Sequence, residues 1–128
     1  MFDNLAIFGM ADAMARHAGA RTALVARNLA NADTPGYRAS HLPSFAEVAD
    51  SGGVEVPSLR TTRAGHIGGD PAPLRARQEP AEGQTSPNGN SVSIEEEMVR
   101  AVAAEREHSR ALAVYRHSMQ VLRTVIGT

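Results

Sequence analysis

Six of the seven prolines and seven of the eleven glycines of this 128-residue chain fall between residues 42 and 91. No long helix runs through a stretch so rich in both. Extended regular structure is therefore confined to the two ends, and both carry its pattern. Near the N-terminus, Ile7, Ala11, Met14, Ala18, Arg21, Val25, Asn28 and Ala32 recur at alternating spacings of four and three, widened by Leu24 and Leu29. This is the heptad stripe of a helix with one packed face. Alanine fills most intervening positions and favours the helix despite Gly9 and Gly19, with Asp3 or Asn4 as its N-cap. Pro35 pushes Thr34 out of the helical region, which predicts an end near Ala32 or Asp33. Thr34-Pro35-Gly36-Tyr37 then has proline second and glycine third, the order of a type II turn, so Gly36 should be left-handed.

The C-terminal stripe is longer. Ile94, Met98, Ala101, Glu105, His108, Leu112, Tyr115, Met119, Leu122 and Ile126 are each three or four residues apart. Residues 93–96, SIEE, read as a capping box with Ser93 as N-cap and Glu96 reaching back. Glu95, Glu96 and Glu97 sit at the positive end of the helix dipole, and Gly127 suits the helix stop. The fold class is all-α: two helices of about 30 residues, roughly 45 Å each, in an antiparallel coiled-coil-like hairpin. Residues 1–41 form the first helix and its turn, 42–91 an irregular insert, and 92–128 the second helix. The insert's composition does not offset its ordering entropy. It should be disordered or ordered by partners, with at most short strands from pieces such as VEVPSL at 54–59.

Formal net charge is −1, and all thirteen basic residues are arginine. No overall basic field exists to hold nucleic acid or anionic lipid. The absence of cysteine excludes disulfides and thiolate metal sites. No apolar run approaches the ~20 residues of a membrane span, and the N-terminal residues lack the pattern of a cleavable signal. Phe2, Leu5, Ile7 and Phe8 are apolar, yet their helix lacks the basic face of a membrane-surface helix. Five histidines, His17, His41, His66, His108 and His117, never fall four apart on one helix, so they read as surface or seam residues. Ser44, Ser86 and Ser118 lack a nucleophile elbow. Adjacent glutamates point in different directions, which suits capping better than a cation. No enzyme reading, cofactor or metal follows.

What remains unusual is polar residues in the seams. With residue 32 beside residue 94, Arg21 falls opposite residues 105–110, which predicts a charge pair with Glu105 or His108. Asn28 and Asn31 pose the same problem more sharply, since a buried amide costs about 1–3 kcal/mol unless hydrogen-bonded. Two of them before a fixed turn should tie the helix end to the returning backbone or to a neighbour.

The stretch NLANADTPGYRAS, residues 28–40, resembles the N-terminal signature of the bacterial flagellar rod and hook proteins. NGNSVSIEEEM, residues 88–98, resembles the entry to the C-terminal helix in the proximal-rod branch of that basal-body rod family, and LRTTRAGHI at 59–67 is a weaker echo. Ser93 departs from the acidic residue common there. The resemblance spans the chain, but only the helices and their flanks carry specific motifs. It implies a non-enzymatic axial subunit of the periplasmic rod, exported through the flagellar export apparatus without signal cleavage. It would self-assemble into a helical tube with other rod subunits, the rod–ring adapter and the inner-membrane ring. Assembly would rest on Asn28, Asn31, Thr34, Pro35, Gly36 and Tyr37, on Gly89, Asn90, Val92, Glu97 and Met98, and on Leu112, Tyr115, Met119, Leu122 and Ile126. A soluble helical-hairpin adaptor that oligomerises through its seams is the alternative class, and a cation-binding carboxylate enzyme a third.

Overall fold

A computed structural model describes residues 2–51, 79–80 and 85–127. Five elements follow in order: α1 (Phe2–Ala30), β1 (Ser40–His41), α2 (Phe45–Asp50), β2 (Glu79–Pro80) and α3 (Ile94–Ile126). The two long helices pack against each other and make the fold all-α in its main mass. Their direction is antiparallel, because Phe8 meets Tyr115 edge-on at 5.3 Å, Arg21 meets Glu107 and Asn28 meets Glu97. The register matches the expected placing of residue 32 near residue 94. No helix among the described residues is long and apolar enough to cross a membrane.

On α1 the predicted stripe faces inward from Ala11 to Asn28, whereas Ile7 and Leu29, at its ends, are exposed. Ala11, Ala18, Val25 and Asn28 are buried, and a second row of Ala13, His17 and Leu24 is buried beside it. The second row is covered in part by α2, whose Phe45 lies edge-on to His17 at 5.7 Å. The helix tightens before it stops. Asn31 and Ala32 donate to the carbonyls three residues back, at 3.0 and 3.2 Å, so regular α geometry ends at Ala30 in tight, 3₁₀-like turns.

α3 is rotated from its predicted face. Its buried residues are Glu97, Ala104 and Ala111, one per heptad. Each stands one position before the expected Met98, Glu105 and Leu112, all of which are exposed. Ile94, Tyr115 and Ile126 are exposed as well, whereas Ala101, His108, Met119 and Leu122 are half-buried. The physical reason is distance. Two helices close on small side chains, so alanines take the line of approach and the bulky apolar residues are left on the shoulder.

α2 lies inside the segment read as irregular. Ser44 and Glu47 form a reciprocal capping box, with Ser44 N–H to Glu47 Oε2 at 2.6 Å and Glu47 N–H to Ser44 Oγ at 3.4 Å, and Phe45 and Val48 turn inward. The box predicted at Ser93 forms only by half. Ser93 Oγ accepts from Glu96 N–H at 3.4 Å, but the Glu96 carboxylate turns outward to Arg100 at 3.3 Å, a charged partner one helical turn away. Gly127 is left-handed, φ 79°, and its N–H reaches the Arg123 carbonyl, as its place after the helix predicts. β1 and β2 pair antiparallel, Ser40 with Pro80 and His41 with Glu79. The pieces at 54–59 and 59–67, like the expected irregularity of residues 52–78 and 81–84, lie outside the described residues.

Candidate functional site

The two quoted motifs meet in one polar junction where α1 ends and α3 begins. Asn28, in the last turn of α1, is fully buried. Its Nδ2 donates to the Ser40 carbonyl at 3.1 Å and to Glu97 Oε2 at 3.2 Å. Its Oδ1 accepts from Tyr37 O–H at 3.1 Å and from Ser40 N–H at 3.4 Å. An amide has two donors and two acceptor positions, and here all four are filled. That is why an amide replaces an apolar residue at this seam position: only a group that both donates and accepts can hold the backbone of Ser40, the tyrosine and the glutamate together. The turn does the aiming. Tyr37 N–H donates to the Thr34 carbonyl at 3.2 Å and Gly36 has φ 72°, the left-handed third position predicted for the type II turn.

Asn90 performs the complementary task from the other motif. A helix end leaves carbonyls without partners. The Asn90 Nδ2 reaches three carbonyls here: that of Ala32, otherwise unpaired among the described residues, at 2.8 Å, and those of Asn31 and Thr34, which also accept from the turn's own N–H groups, at 2.9 and 2.8 Å. Its Oδ1 accepts from Val92 N–H at 2.7 Å, turning the chain into α3. Backbone rungs run alongside: Gly36 N–H to the Asn88 carbonyl at 3.0 Å, and Ser91 N–H to the Tyr37 carbonyl at 3.1 Å. Ala39 N–H donates to Ser91 Oγ at 2.9 Å. Gly89 is also left-handed, φ 81°, and a Cβ placed there would lie 3.3 Å from the Gly36 Cα. The two glycines are in contact, so each motif needs a residue without a side chain for its own turn and Gly89 needs one for the meeting as well.

Glu97 closes the junction beneath Asn28. It is buried, and its Oε1 stands 3.6 Å from His41 Nε2. Burial pushes the Glu97 carboxyl pKa up, partly opposed by the Asn28 hydrogen bond and Arg100. Burial pushes the His41 imidazole down, with Arg100 adding to it. Both directions favour the uncharged forms.

A second cluster sits midway along the hairpin. Arg21 Nη1 donates to Glu107 Oε1 at 2.7 Å, so the expected partner, Glu105 or His108, is corrected to Glu107. Glu105 points to solvent and His108 is half-buried; Glu107 stands between Ala104 and Ala111 on the face that α3 turns inward, one position before the expected His108. His17 is buried beside them, its Nδ1 4.0 Å from Glu107 Oε2. Among the described residues, neither His17 ring nitrogen nor that oxygen has a hydrogen-bond partner. Burial lowers the His17 pKa, Glu107 opposes this and Arg21 adds to it.

Of the assembly residues named from sequence, Asn28, Gly36, Tyr37, Gly89, Asn90, Val92 and Glu97 come together here. Asn31 acts locally: its Nδ2 donates to the Arg27 carbonyl at 2.8 Å and its Oδ1 accepts from Thr34 O–H at 3.3 Å. Pro35 is exposed, Met98 follows Glu97 but turns outward, and Leu112, Tyr115, Met119, Leu122 and Ile126 lie farther along α3. Asn88, Ser91, Ser40 and His41 were not anticipated as participants, although all four flank or fall within the quoted motifs. No family model matches the sequence, and no curated protein matches it.

Proposed function

We propose that this chain is a structural subunit of the bacterial flagellar basal body, a proximal-rod protein of the FlgB type. In that role it connects the inner-membrane ring to the distal rod and hook and transmits torque. The observation that carries the reading is the uncovered apolar row of α3. Ile94, Met98 and Val102 are 51, 61 and 52% exposed, while the hairpin itself closes on alanine and on a polar junction. A helix that keeps its bulky apolar residues out of its own core has them available for neighbours. The two motifs of the resemblance are also the two halves of the junction, which supports reading them as one device that sets the shape of the subunit. The lateral contacts are with other rod subunits and the rod–ring adapter. The chain passes unfolded through the flagellar export apparatus and closes after export.

The same row suits a soluble helical-hairpin adaptor, and one experiment separates the two readings. A deletion strain is complemented with the wild-type chain or with Met98→Glu, and swimming, secreted subunit and imaged basal bodies are scored. The rod reading expects Met98→Glu to be exported yet to build no rod, leaving cells non-motile. Intact basal bodies in the uncomplemented deletion strain would defeat it and favour the adaptor.

A further inference from the structure

We propose that the Asn88–Gly89 bond is a site of spontaneous deamidation that the closed junction holds in check. When asparagine precedes glycine, no side chain hinders the glycine amide nitrogen from attacking the asparagine Cγ. A new bond forms between that nitrogen and Cγ, closing a succinimide. The bond from Cγ to its own amide nitrogen breaks, and ammonia leaves carrying the proton lost by the backbone N–H. Water then opens the imide at either carbonyl, giving aspartate or isoaspartate. Water is the only co-reactant, and Asn88 is exposed to it.

In the closed junction the nucleophile is engaged, and the side chain and backbone of Asn88 are held in one conformation. Gly89 N–H, the nucleophile, donates to the Ser86 carbonyl at 2.8 Å. Asn88 Oδ1, on the carbon to be attacked, accepts from Asn90 N–H at 3.0 Å. The Asn88 backbone carbonyl accepts from Gly36 N–H at 3.0 Å. Cyclisation therefore requires the junction to open locally. The isoaspartate product then prevents it from closing. Isoaspartate routes the main chain through the side-chain carbons, adding a methylene between the rung to Gly36 and Asn90, whose amide holds three carbonyls. Open chains age irreversibly while closed ones are protected. This inference is independent of the rod reading.

The test uses the full-length chain, incubated at mildly alkaline pH in native buffer and in urea. Conversion at Asn88 is followed by peptide mass spectrometry and by isoaspartyl methyltransferase labelling. Conversion in urea should exceed that in native buffer by at least about tenfold, the ratio set by the population of the opened state. Asn28, followed by the bulky Leu29, should stay intact in both. Asn90→Ala should raise conversion in native buffer toward the urea rate while circular dichroism retains the helices. If that variant does not fold, the wild-type comparison decides alone. Equal rates in the two buffers, or no conversion at Asn88 in urea, would overturn the proposal.

Discussion

Asn28 illustrates how one residue type is forced by its surroundings. Replacing it with alanine leaves Tyr37 O–H, both backbone groups of Ser40 and one oxygen of Glu97 without their partner. Some of these regain water, so the cost should be about 2–3 kcal/mol rather than the sum of the parts, read as a lower urea midpoint at unchanged slope. Asn28→Asp should cost more, because it loses both donors and sets a second carboxylate beside Glu97. Glu97 and the histidines give the pH dependence. The folded pKa of Glu97 is raised above 4.5, so the folded state binds this proton more tightly than the unfolded one. Its stabilisation is complete below 4.5 and is lost as pH rises through the folded value. His17 and His41 are lowered from 6.5. Their contribution is present above 6.5 and is lost as pH falls through their folded values. Glu97→Gln, which keeps an acceptor for Asn28, should therefore gain on the wild type as pH rises from roughly 4 to 7. Parallel urea midpoints for the two proteins across that range would refute the assignment.

At the scale of elements, the two long helices differ in how far their sequences foretell their packing. On α1, helix propensity, stripe and burial agree, because Ala11, Ala18 and Val25 are both apolar and small enough for the contact line. On α3 the stripe of bulky residues and the line of approach are different faces, and hydrophobicity alone finds the first. Ala104 and Ala111 were legible as helix formers but not as the seam, since alanine marks no face by itself. Ala104→Leu should accordingly wedge the helices apart and cost about 1–3 kcal/mol. In the isolated chain Met98→Glu should stay within about 0.5 kcal/mol. Thermal melts of both, with wild type, check the order. α2 was missed because its six residues are too few to show a period. Its capping box, Ser44 with Glu47, was the available signal. Arg21 falls in the expected neighbourhood, and its partner shifts by the same one position as the rest of the α3 seam, from His108 to Glu107.

For the whole molecule, apolar packing runs along the hairpin and polar closure is concentrated at one end. Register was legible from the two polar interruptions and the motif ends. The junction was legible only as two separate motifs, because asparagine and glycine carry no sign of which distant backbone they will meet. The contact between Gly36 and Gly89 has a further consequence. Together with the pairing of His41 and Glu79, it fastens the chain just before α2 to the chain from residue 79 onward at two points. Residues 36–41 thereby hold both the approach to α2 and the entry to α3. These contacts are made by residues outside positions 52–78, so they should survive an exchange of that segment. Lengthening a flexible connection costs only about 0.6 kcal/mol per doubling. Replacing residues 52–78 with a Gly/Ser linker, or with a compact guest domain whose own ends lie close together, should leave the hairpin's melting free energy within about 1 kcal/mol of the parent.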